Sequence, residues 1–169
     1  MSDLQVHAHL AHHAQYVNAV RAAGEFEGLE DAIRRSGKNA VLARSANQAW
    51  NHHLMWHSLS PSGGGPPTMG RLAQSVPNIV PELRRAMLDV WGSGWVWVVL
   101  RKHRISVEAT QNEQRPQGYP LLCFDLWEHA YYVDHFGDRS RYADVLLSQL
   151  VNWEFAEARI DGYTPPELQ

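Results

Sequence analysis

Asp125 and His129 stand four residues apart in the run Asp125-Leu126-Trp127-Glu128-His129-Ala130-Tyr131-Tyr132. The apolar stretch before Asp125, residues 119–124, has the composition of a buried strand, and His129 falls in the predicted first turn of a helix. A strand-to-helix corner can aim a carboxylate and an imidazole at one point, which is how a protein holds a metal. The other histidines gather in groups, His7, His9, His12 and His13, then His52, His53 and His57, then His135 near His129, with His103 alone standing apart. Ten histidines beside seven tryptophans have the composition of a metal site walled by aromatics. For any single one of these imidazoles, ordinary hydrogen bonding with no ligand role is the better expectation.

Three groups of elements must position these side chains. Residues 4–23 are predicted helical, with Leu10, Ala14, Val17 and Val20 as an apolar stripe and Gly24 as the stop. A brief helix over 29–35 and a long one over 40–59 complete an α-hairpin. The Gly/Pro-dense run 60–67 is a loop and a lobe boundary, dividing 1–60 from 61–169. Helices over 71–91, broken at Val76-Pro77-Asn78, precede a change of pattern at Gly92-Ser93-Gly94. Residues 95–100, 105–110 and 119–125 are predicted strands, and helices are predicted over 127–134 and 140–158, with an exposed end over 161–169. The fold class is therefore α+β: an N-terminal helical hairpin, then a three-stranded antiparallel sheet packed with helices. Trp91, Trp97, Trp153 and Phe155 are expected in the core, and His57 and His135 at the surface.

At 169 residues and a net charge of −3, the chain can bury one good core and presents no basic face for nucleic acid. The single cysteine, Cys123, excludes an intrachain disulfide and suits a reducing cytoplasm. Neither a secretory leader nor a membrane span is expected. The glycines of 62–67 lack the Lys-Ser/Thr ending of a phosphate-binding loop.

Five blocks, in order, resemble the iron/manganese superoxide dismutases: His12-His13-Ala14-Gln15-Tyr16-Val17, Gln48-Ala49-Trp50-Asn51-His52 through Trp56, Gly92-Ser93-Gly94-Trp95-Val96-Trp97, Asp125 through Tyr132, and Leu150-Val151-Asn152-Trp153-Glu154. The resemblance implies one iron or manganese ion, bound by three histidines and one aspartate, that converts superoxide to oxygen and hydrogen peroxide. Carried over by residue, His52, Asp125 and His129 match three ligands. Tyr16 matches the gateway tyrosine, and His12 the histidine beside it near the channel mouth. Gln48 matches the glutamine that touches metal-bound solvent in iron-type members, which favours iron. Trp95, Trp50 and Trp127 match the aromatic wall. Glu128 and Tyr132 match residues that reach across a homodimer interface, Glu128 toward the partner's His129.

The fourth ligand departs from the family pattern. The position four residues before the His12-His13 pair is Ala8, which cannot ligate, while His7 and His9 flank it. A one-residue deletion would let His9 serve, since it lies seven residues before Tyr16 and faces about the same way round a helix; His7 points the other way. Glu113, after Asn112, adds an acid near the site. If no first-helix histidine ligates, His52, Asp125 and His129 form the two-histidine, one-carboxylate set of non-heme iron(II) oxygenases. The chain would then oxidise a small organic substrate, or, with no metal at all, persist as a non-catalytic homologue.

Overall fold

A computed structural model describes residues 1–163, so the expected exposed end lies, from residue 164 on, outside the described residues. The first helix, α1 (Asp3–Ala23), is capped by Ser2, whose side chain accepts from the Gln5 N–H, and Asp3 complements the helix dipole. Its buried side chains are Gln5, His9 and Val20, with His12, His13 and Tyr16 half-buried. The expected stripe is thereby corrected: Leu10 is 44% exposed and Ala14 is exposed. Positions 5, 9, 12/13, 16 and 20 share one face at helical spacing, so the inward face of α1 is mostly polar.

The short helix α2 (Leu29–Arg35) and the long α3 (Ala40–His57) follow, with Asn39 capping the Leu42 N–H. Val20, Ala32, Leu42 and Ala46 pack with Phe26, Leu29 and Ile33 into a small apolar cluster where the three helices meet. After the 60–67 loop come α4 (Gly70–Ser75) and α5 (Ile79–Asp89). The sheet comprises β1 (Gly94–Arg101), β2 (Arg104–Gln111) and β3 (Tyr119–Asp125) in the order β2-β1-β3, all antiparallel.

Strand β1 is central and buried along nearly its whole length, which is why it lacks polar alternation. Its two faces feed different clusters. Trp95, Trp97 and Val99 join Cys123, Leu54 and Met55 against α3. Val96, Val98 and Leu100 join Leu122, Phe124 and Leu83 in the main core. The register slips between Val98 and Val99, beside Pro120, which has no N–H for the ladder.

Two predicted helices are each broken. Residues 127–134 are a 3-10 turn, Glu128–Ala130, followed by the four-residue α6 (Tyr132–His135). In a continuous helix the His129 carbonyl would accept from the Val133 N–H. Here Gln5 intervenes, donating from Nε2 to the His129 carbonyl at 2.7 Å and accepting the Val133 N–H at 3.1 Å. The predicted 140–158 helix is two, α7 (Arg139–Gln149) and α8 (Trp153–Asp161). Between them Val151 bridges Leu59, the Leu150 and Val151 carbonyls accept from the Ser60 and Gly64 N–H groups, and Asn152 caps α8. Trp97 is fully buried, and Trp153 and Phe155 pack partly buried against the core. Trp91 corrects the core expectation: it is 88% exposed, standing just past α5 where the chain turns into β1.

Candidate metal centre

Four elements converge on one buried point. α1 supplies His9, α3 supplies His52, the end of β3 supplies Asp125, and the 3-10 turn supplies His129. One potential ligand atom from each lies within 4.8 Å of all the others. Asp125 Oδ2 faces three Nε2 atoms, at 3.2 Å from His9, 3.4 Å from His52 and 3.0 Å from His129. Its Oδ1 accepts the Trp127 N–H at 2.8 Å, which fixes the carboxylate's orientation. His9, His52 and Asp125 are buried and His129 is half-buried.

His7, by contrast, is exposed, and its Nδ1 contacts the Asp3 carbonyl within its own helix. His9 is therefore the first-helix histidine that joins the cluster, on the face of α1 that also carries Gln5, His12/His13 and Tyr16.

The tautomer of His52 tests whether these residues fit a metal ion. Its Nδ1 lies 2.8 Å from the Gln48 carbonyl, which can only accept, so Nδ1 carries the proton. Nε2 then presents a lone pair to Asp125 Oδ2 and has no hydrogen-bond partner of its own. Two lone pairs at this distance repel unless a cation lies between them. The donor set, three imidazoles and a carboxylate, suits iron or manganese.

Both amide atoms of Gln48, one turn before His52, are buried without a partner, as is Nε2 of His12. The His12 ring lies 4.0 Å from that of His129 and 4.9 Å from that of Tyr16, centroid to centroid. Tyr16 is 5.6 Å from His52, and His13 stacks on His52 at 5.3 Å. Trp95, paired with Asp125 across the sheet, sets its indole edge-on to His52 at 5.0 Å, and Trp127 stacks on His129 at 5.9 Å. Trp50 instead packs on Trp97 under the Arg115 guanidinium, and Trp56 is the indole that meets His9, at 5.0 Å. Glu113 turns its carboxylate toward Arg44, 3.9 Å away. Sequence reasoning missed Gln5, and it placed Trp56 in a family block without assigning it to the aromatic wall. The available signals were a glutamine one turn before His9 and a tryptophan one turn after His52.

Burial penalises the Asp125 carboxylate, but hydrogen bonds from His129 and His9 outweigh it and hold the group well below the usual carboxylate range. Burial pushes His52 down to about 3, and burial with the nearby His129 and His9 pushes His12 down to about 4. Burial and Asp125 raise the Tyr16 phenol. These shifts set a sign for acid stability. The fold favours neutral His52 and His12, so the unfolded chain binds more protons between the ordinary value of 6.5 and about 4. The metal-free protein is thus expected to lose stability as pH falls through that window, and acid also protonates the ligand atoms and releases metal. Denaturant midpoints measured from pH 8 to pH 4 check this; a midpoint that rises on acidification contradicts it.

Gln5→Ala is a second expected disruption. It leaves the His129 carbonyl and the Val133 N–H without partners where the 3-10 turn meets α6, at about 1–3 kcal/mol. Chemical denaturation of the variant reads this directly, and an unchanged midpoint would show that water replaces the amide.

The fold and this cluster define a class: an α+β protein whose helical hairpin and sheet jointly build a buried pocket of three imidazoles and one carboxylate, fit for one transition-metal ion. The profile described as iron/manganese superoxide dismutases, C-terminal domain, matches residues 70–159. The iron superoxide dismutase of Synechococcus elongatus is 38% identical over 168 residues, covering 89% of this chain and 83% of that protein. The iron enzyme of Synechocystis is 37% identical, over 94% of this chain and 88% of its own length. The Mn/Fe superoxide dismutase of Rickettsia typhi is 34% identical, over 88% and 79%. The chain belongs to the iron/manganese superoxide dismutase family.

Proposed function

We propose that this protein dismutates superoxide to oxygen and hydrogen peroxide, using iron or manganese held by His9, His52, Asp125 and His129. The observation that carries this reading is the contact of Asp125 Oδ2 with all three Nε2 atoms, His52 among them with its lone pair forward. When bound, the ion supplies the one-electron couple that two successive superoxide molecules need. The protein's part is to hold, shield and deliver protons. Asp125 and the three imidazoles set the ligand field. Trp95, Trp127 and Trp56 wall the pocket, which limits access to something small. The unpartnered amide of Gln48 offers a donor and an acceptor to solvent at the centre, and Tyr16 keeps its phenolic proton at neutral pH. Gln48 on α3 and the iron enzymes among the relatives favour iron. The oxygenase reading required a vacant fourth position, and no observation favours it.

The test is direct: load the purified chain with iron, then with manganese, and follow superoxide decay. Fast decay with either metal, absent in the metal-free protein, is expected. Decay at the spontaneous rate with a fully loaded site would sink the proposal.

The 1–60 and 61–169 lobes are proposed to share the site, with His9 and His52 from one and Asp125 and His129 from the other. A homodimer through Glu128 and Tyr132 is proposed because Glu128 is exposed beside His129, and Tyr132, Val133 and Phe136 are 52%, 39% and 82% exposed next to it. An exposed apolar patch of this kind needs a cover. If Glu128 bonds His129 of the other subunit, Glu128→Ala should lower metal affinity by about 10–100-fold, as for other partners of ligand histidines. It should also shift sedimentation toward monomer; a tight, metal-replete dimer in this variant would remove Glu128 from the interface. Among the described residues no helix is long and apolar enough to cross a membrane. A reducing cytoplasm is proposed from the lone buried Cys123.

A further inference from the structure

We propose that His53 and His57 form a second, peripheral site for a divalent transition-metal cation, with Cu(II) the preferred ion. Both side chains are exposed, one turn apart on α3, on a face of the helix turned away from the buried His52. Residues four apart on a helix are neighbours, and two histidines at that spacing are a recurring way to grip one metal ion. The ring centroids are 4.9 Å apart and the planes cross at 75°. The three imidazoles gathered at the metal centre have centroid separations of 5.1, 5.0 and 5.5 Å. The surface pair therefore already has the spacing that lets two imidazoles of this protein share one point.

His57 is also held in place. His57 stacks on Phe155 at 5.4 Å with 20° between the rings, so one face of its imidazole is fixed by α8. The Asn152 side chain donates to the His57 carbonyl at 3.1 Å, which secures the backbone at the end of the helix. His57 is the last residue of α3, where the helix dipole favours a cation. Two imidazoles with water completing the sphere rank the divalent ions with copper above nickel and zinc. The site needs no superoxide chemistry, so it stands or falls separately from the proposed activity.

Titrating the iron-loaded protein with Cu(II), followed by calorimetry and electron paramagnetic resonance, tests this. One saturable equivalent with nitrogen ligation is expected, with the iron retained. His57→Asn should lose that equivalent while keeping iron and its superoxide-decay rate, and His53→Asn should lose it too. His57→Asn decides the matter, because His53 adjoins a proposed ligand. Undiminished copper binding in His57→Asn, no saturable equivalent in the parent protein, or binding only with stoichiometric release of iron would each overturn the site.

Discussion

His9→Ala is expected to empty the metal centre. His9 Nε2 lies 3.2 Å from Asp125 Oδ2, and the residue is 1% exposed, so alanine removes an inward-facing imidazole from the cluster. Even an outer partner of a ligand histidine contributes 10–100-fold to metal affinity, so losing a ligand itself should exceed about 100-fold. Superoxide decay should fall in proportion to metal content. The control lies two residues away. His7 is exposed and its Nδ1 contacts the Asp3 carbonyl, away from the cluster, so His7→Ala should retain metal and rate. Metal content by elemental analysis, with decay rates on the same samples, compares the two. A metal-replete His9→Ala protein, or a metal-free His7→Ala protein, would show that the first helix is phased differently.

Gly64→Ala should be among the most destabilising single methyl additions in the chain. Gly64 has φ +91°, a backbone conformation that side chains rarely adopt. A Cβ there would also run into the backbone of Gln149 and Ser148, which cannot rotate away as a flexible side chain could. Strain of about 1–3 kcal/mol from the backbone and a similar amount from overpacking together give roughly 4 kcal/mol. That is a large share of the stability of an ordinary domain. Gly65 is the matched control: φ is +69°, but nothing lies within 4 Å of its Cβ position. Gly65→Ala should therefore cost only about 1–2 kcal/mol, the left-handed backbone penalty alone. Paired denaturant melts measure the difference. Equal losses would mean that the 60–67 loop moves off the 148–151 backbone to make room.

The glycines and prolines of 60–67 mark a loop on any reading. That the loop lies against 147–151, and so splits a predicted helix into α7 and α8, depends on partners nearly ninety residues away. Asn152 was a readable cap signal, but an asparagine within helical sequence is ambiguous without those partners. The 127–134 region failed for a related reason. Its local composition suits a helix, and only the Gln5 amide, arriving from α1, replaces the bond that would have continued it.

The residues of the metal centre were legible in the chain because chemistry restricts them. An Asp and a His at a strand corner, a long helix carrying His52 and Trp56, and five blocks in family order required no coordinates. So did the three strands, since β-branched and aromatic runs between glycines have few other uses. The inward face of α1 was not legible. Apolar periodicity pointed to Leu10, Ala14, Val17 and Val20, yet of these only Val20 is buried, in a small apolar cluster; the rest of the inward face meets the histidine cluster through Gln5 and His9. The sequence by itself therefore determined which residue types this protein brings to a metal, and left His7, His9 and a vacancy as rivals. Tertiary structure turns His9 and not His7 toward Asp125, because two residues put these imidazoles on opposite sides of the helix, and only packing sets where each side points.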